Sequence, residues 1–253
     1  MRAFDTHAHL ADLPDIKKAV ENAISASLVG VVAVSANKLT CEKTLALGDA
    51  YPDFVYPAIG IHPTEWLGED VESTIEYIRG AAGDVSSIGE IGLDYWGKFK
   101  DETLRERQRG IYAALLEIAR EHNLPVSIHS RGAWKDALKI ALEHGPGKGV
   151  FHWYSGPVDL VHKIVDAGYY VSCTPALEYS RELREAMSAA PLDRILVETD
   201  SPVYLRSQQR QSEPADVLLT IIQLARLKGL SEEETTEVTT ANAETLFNHS
   251  GRV

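Results

Sequence analysis

Eight short apolar runs, each followed by a longer stretch with apolar residues at helical spacing, are what most limits how this chain can fold. The runs are RAFDT, LVGVVAVS, FVYPAIG, VSSIGEIG, PVSIHS, KGVFHW, YYVSCT and RILVET. Amphipathic stretches such as PDIKKAVENAISAS, LTCEKTLALGDAY, LRERQRGIYAALLEIAREH, AWKDALKIALEHG and PVDLVHKIVDAG lie between them. Pro125, Gly145 and Gly168 stand where helices stop. Two more helices follow the eighth run, and Ser231 and Glu234 open the second at capping-box spacing. Strands alternating with helices predict a parallel sheet with helical crossovers. An open doubly wound sheet and a closed barrel both satisfy that pattern. No G-x-G-x-x-G follows the first run, which removes the main reason to prefer a dinucleotide fold. Eight units in 253 residues suit a barrel. The expectation is an α/β fold, a (β/α)8 TIM barrel forming a single domain over residues 1–253.

Composition narrows the function. The hydrophobic share of 44% is enough for a substantial core. No apolar run reaches membrane-spanning length, and the N-terminus lacks the basic start and apolar stretch of a signal peptide. Cys41 and Cys173 form no CxxC, so neither a disulfide framework nor a thiolate zinc site is indicated. A cytoplasmic location is expected, with no membrane contact and no obligate protein partner. The net charge of -12 argues against general polyanion binding. It weighs against duplex scanning, not against phosphate chemistry at a local site.

Histidines and carboxylates gather at one end of the predicted strands. In FDTHAHL, Asp5, His7 and His9 alternate and so share a strand face. His62 follows the third run, Glu90 and Asp94 the fourth, His129 ends the fifth, His152 the sixth and Asp200 the eighth. All lie at carboxyl ends of strands, the face on which barrel active sites form. Four histidines (His7, His9, His129 and His152) and two carboxylates supply enough donors for two divalent ions if one carboxylate bridges them, and Glu90 is the expected bridge. Two ions about 3.5–4 Å apart share a water, lower its pKa and clamp a phosphoryl group. Imidazole and carboxylate donors suit Zn, Mn, Co or Ni, and Mg at carboxylate-rich positions.

FDTHAHL, GIHP, GEIGLDYW, LPVSIHSR, HWYSG, ETDSP and ANAETLF occur together and in this order. The set resembles the TatD family of metal-dependent hydrolases, within the amidohydrolase superfamily, along almost the whole chain. The resemblance implies a (β/α)8 barrel and a divalent-metal deoxyribonuclease acting as a 3′ exonuclease on single-stranded DNA. Carried over by position, it puts one ion on His7, His9, Glu90 and Asp200. The second falls on Glu90, His129 and His152. The chain departs from the family at Trp153-Tyr154 and in VYLRSQQRQSEP, where Ser212 precedes Glu213 and Pro214. That stretch is expected over the site, which puts the preferred nucleic acid in question.

The remaining candidates carry two readings each. His62 either meets a substrate phosphate or caps a turn. Asp94, Asp5 and Glu198 either support a metal-site histidine or serve the backbone. Arg131 either grips a phosphate or forms a structural ion pair, and Arg206 and Arg210 are weaker candidates of the same kind. Tyr95, Trp96, Trp153 and Tyr154 either stack unpaired bases or pack in loops. His122, His144, His162 and His249 are read as structural. The reaction expected is hydrolysis of a phosphodiester by a metal-activated water, with Asp200 orienting the water and accepting its proton. The alternatives are deacylation of aminoacyl-tRNA by the same centre, a small-molecule amidohydrolase, and a barrel that binds metal without turnover.

Overall fold

The computed structural model describes residues 2–247; His249 lies outside them. All eight apolar runs become strands: β1 (Ala3–Ala8), β2 (Leu28–Val34), β3 (Val55–Ile59), β4 (Ser87–Gly92), β5 (Val126–His129), β6 (Gly149–Phe151), β7 (Tyr170–Cys173) and β8 (Ile195–Val197). They pair in parallel and in chain order within one 8-stranded sheet. A parallel bridge between Ala8 and Ser201 brings its two ends together. Further bonds tie the same seam: the Asp200 N–H donates to the His7 carbonyl (2.9 Å), and the His9 N–H to the Ser201 carbonyl (2.7 Å). The result is a (β/α)8 barrel.

Helices α1 (Ile16–Ser25), α2 (Lys38–Ala50), α3 (Val71–Ala81), α4 (Glu102–Glu121), α5 (Trp134–His144), α6 (Val158–Asp166) and α7 (Arg181–Ala189) make the seven crossovers. Side-chain caps start several of them: Asp15 accepts from the Lys18 N–H, Asp70 from Ser73 and Ser180 from Leu183. Each cap satisfies an amide that the first helical turn leaves without a partner. α8 (Val217–Lys228) and α9 (Glu232–Phe247) follow the last strand. The left-handed Gly229 ends α8. Asn242 of α9 donates to the Leu192 and Ile195 carbonyls, and Thr240 to the Arg2 carbonyl. α9 thus covers the amino ends of β1 and β8, where its Ala243, Leu246 and Phe247 join Phe4, Val32 and Leu196 in a buried cluster. The carboxyl ends form the opposite mouth.

The stretch after β8 holds a short antiparallel hairpin, β9 (Tyr204–Leu205) with β10 (Arg210–Gln211). Its turn pins back on itself: Arg210 donates to both carboxylate oxygens of Asp216, and Ser212 Oγ accepts from the Val203 N–H. No helix among the described residues is long and apolar enough to cross a membrane.

Candidate metal centre

Glu90 sits at the middle of the mouth with its side chain only 2% exposed. An isolated carboxylate at such depth would be very costly. Its two oxygens face different histidines. On the Oε2 side stand His7 Nε2 at 3.4 Å and His9 Nε2 at 3.3 Å. Asp200 Oδ1 lies 3.5 Å from each of the same two nitrogens. Four donors about 2.1 Å from a common ion, at tetrahedral angles, stand roughly 3.4 Å apart. These spacings exceed ordinary hydrogen bonds, and His7 Nε2 is buried with no hydrogen-bond partner among the described residues. The donor set fits a divalent cation.

On the Oε1 side, His129 Nδ1 lies at 2.7 Å, His152 Nε2 at 2.8 Å and His62 Nε2 at 3.4 Å. The shorter two are hydrogen-bond distances. One donor atom each from His7, His9 and Asp200, and from His62, Glu90 and His129, lies close enough to hold an ion.

What lies behind each histidine fixes which nitrogen is presented. His7 Nδ1 contacts Ser127 Oγ at 3.1 Å. His129 Nε2 contacts Asp94 Oδ2 at 2.9 Å. His152 Nδ1 faces Glu198 Oε1 at 3.4 Å. For His7 and His129, a proton on the rear nitrogen leaves the front lone pair for a cation, while His152 Nδ1 is buried without a hydrogen-bond partner among the described residues. His62 Nδ1 faces Thr64, with the backbone N–H at 3.1 Å and the hydroxyl at 2.8 Å, which leaves Nε2 toward the cleft.

Electrostatics follow the crowding. Burial alone would raise the Glu90 carboxyl, but His62, His152 and His7 outweigh it and hold it well below the usual range. Burial also opposes ionisation of Asp200, and the neighbouring His9, His7 and His152 prevail to lower it. Burial lowers His9, yet Asp200 and Glu90 carry it up to about 10. Asp94 is brought down to about 2, its burial overcome by His129, the Trp96 amide and Arg131.

Local backbone serves the same end. Gly92 has φ +140° and approaches β5 so closely that a Cβ would fall on the His129 carbonyl oxygen. Asp200 (φ +52°) and Trp153 (φ +41°) are left-handed without being glycine, a conformation held at some cost in strain.

A cleft of about 200 Å³ opens above these groups, and His9, His62, Glu90, His129, His152 and Asp200 reach it. Arg131 and Trp153 line it too. The Arg131 guanidinium bonds Asp94 through Nε (2.8 Å) and Nη2 (2.7 Å) while the side chain stays 56% exposed. Tyr154 does not meet the expectation of a base contact: its ring is fully buried, and its hydroxyl donates to the Pro157 carbonyl. Tyr95 is not brought to the cleft either. Its ring lies under Arg105 and its hydroxyl donates to Asp136. Asp5 accepts from the N–H and hydroxyl of Thr199, so it staples the β1–β8 seam and does not support an imidazole. Arg210 is held by Asp216. Three contributors escaped the sequence reading. Ser127 sits two before His129 on the same strand face, a signal that was there to read. Gln108, a buried polar residue on α4, ties Pro63 to the Asp94 amide. Trp134, just past the fifth strand, lines the cleft.

A parallel barrel with one buried carboxylate set between two groups of histidines at its carboxyl mouth defines a metal-dependent hydrolase. Comparison with known proteins gives the particular family. Residues 4–248 match the family described as TatD related DNase, and the chain belongs to it. Deoxyribonuclease TATDN3 of Homo sapiens is 32% identical over 259 residues, covering 96% of this chain and 93% of its own. The 3′-5′ ssDNA/RNA exonuclease TatD of Erwinia tasmaniensis is 30% identical over 248 residues, with 92% and 94% covered. The crystal structure of YJJV, a TatD homologue from Escherichia coli, superposes with a TM-score of 0.89 at 28% identity, covering 98% of both chains.

Proposed function

We propose that this protein is a divalent-metal-dependent deoxyribonuclease that removes nucleotides from the 3′ end of single-stranded DNA. The observation that carries the reading is the division of Glu90, one oxygen toward His7, His9 and Asp200 and the other toward His129 and His152. In this reading His7, His9, Glu90 and Asp200 would hold one divalent ion (Mg, Mn or Zn), and Glu90, His129 and His152 would hold a second. Bound there, such ions would supply a water of lowered pKa and offset negative charge on phosphoryl oxygens.

The protein's own groups do the rest. Asp200 orients the attacking water and accepts its proton as the P–O bond to the departing nucleotide breaks, leaving one product with a phosphate and the other with a hydroxyl. His62 donates its Nε2–H to a phosphoryl oxygen. Arg131, anchored by Asp94 at two of its five N–H groups, keeps others for a neighbouring phosphate. Trp153 offers a stacking face at the cleft wall. The similarity to a human deoxyribonuclease and to an ssDNA/RNA exonuclease of Erwinia supports a nucleic-acid substrate.

The test strips the protein with chelator, restores Mg, Mn or Zn in turn, and follows a 3′-labelled single strand. Shortening that needs metal and is lost in Glu90→Ala is the expected result. An intact strand with every metal would refute the nuclease reading and turn attention to an aminoacyl ester.

A further inference from the structure

The cleft has a second lobe. It takes about 480 Å³ between the loops that follow β1, β2, β3 and β8, and it meets the first lobe at His9, His62 and Asp200. That volume falls within the ~300–1,000 Å³ usual for small-molecule sites. The lobes differ in charge. Arg131, Trp134 and Trp153 line the first; the second has the carboxylates of Asp12 and Glu65 and no lysine or arginine. Both acids are held by backbone close to a histidine of the site. The Asp12 N–H donates to the His9 carbonyl, and the Glu65 N–H to the His62 carbonyl. Both are exposed, and among the described residues the one side-chain bond to either is from Thr64 Oγ1 to Glu65 Oε1.

We infer that this lobe receives the terminal nucleoside of the strand, and that Asp12 and Glu65 confine cleavage to an end by repelling a strand that continues. The inference rests on the nuclease reading above. A nucleoside with a free hydroxyl brings no charge into the lobe. Each further nucleotide brings a phosphate, which meets the carboxylates of Asp12 and Glu65 with no lysine or arginine lining the lobe to offset them. The rest of the strand leaves by the opposite sector. There Arg131 and Trp153 line the first lobe, and a cation beside an aromatic ring is the kind of surface that tracks an unpaired strand.

The test uses three single-stranded probes of one sequence: linear with a 3′-hydroxyl, linear with a 3′-phosphate, and circular. The metal-loaded protein is expected to cut the hydroxyl end about tenfold or more faster, in kcat/KM, than the phosphate end, and to leave the circle intact. Asp12→Asn/Glu65→Gln should narrow that ratio at least about fivefold, the scale of two screened charge contacts. Anisotropy of the two labelled linear strands in chelator, where nothing is cut, should show the same loss of preference. An unchanged ratio in the double variant would overturn the inference and leave the 3′-exonuclease reading intact, whereas cleavage of circle and linear strand at equal rates would overturn the inference and the 3′-end specificity together, leaving metal-dependent DNA cleavage. A protein that cuts none of the three takes both down.

Discussion

His9 shows how much a single residue commits to the site. Held at a pKa of about 10 by Asp200 and Glu90, it is protonated at neutral pH and must lose that proton to offer a lone pair. Metal binding should therefore release protons, and apparent affinity should rise with pH through the neutral range. Calorimetry in two buffers of different ionisation enthalpy checks this, since buffer-independent heats would contradict it. Asp200 makes a second prediction. Asp200→Asn preserves shape but cannot accept a proton, so kcat should fall by about 10²–10⁴-fold. Bound metal, measured on the same sample, decides whether the loss lies in the proton or in the ion. At Gly92 the constraint is backbone alone. Gly92→Ala pushes a methyl against the His129 carbonyl and should cost about 2–3 kcal/mol, read from the denaturation midpoint.

Among the elements, α4 supports two loops of the mouth at once. Gln108 accepts from the Asp94 N–H and donates to the Pro63 carbonyl, locking the loops after β3 and β4 that carry His62 and Asp94. Gln108→Ala leaves buried polar groups without partners and should destabilise by about 1–3 kcal/mol, as thermal unfolding would show. It should also raise KM more than a remote cavity would, because His62 loses its support. The strands were the most legible part of the sequence. β-branched and apolar runs bounded by Gly and Pro announced all eight, and the ring of histidines and carboxylates at their ends announced the mouth. The β9–β10 hairpin was not legible, because RSQQRQ has no alternation and its order comes from Arg210 clasping Asp216. Nor could the sequence decide that Tyr154 turns into the core while Trp153 faces the cleft. Adjacent residues take opposite sides, and the choice rests on the left-handed backbone at Trp153.

For the molecule as a whole, the excess of acid shapes how it meets a polyanion. With a net charge of -12 and few arginines near the mouth, the protein can neutralise only a phosphate or two. Affinity for a single strand should fall with salt at a log–log slope of about −1 to −2. Anisotropy from low to high salt measures the slope, and a value steeper than about −4 would mean a cationic track elsewhere on the surface.

The β1–β8 seam ties Asp5 to Thr199 and His7 to Asp200, positions separated by 194 residues in the first pair. Asp200 is therefore the last of the mouth's histidines and carboxylates to be synthesised. At about 5–20 residues per second, a ribosome takes roughly 10–40 s to reach it after making the histidines of the first strand. Throughout that interval the growing polypeptide holds an incomplete centre. In the nuclease reading proposed above, the power to cut arrives only when the final strand docks, and fragments that end before Asp200 should leave nucleic acid intact.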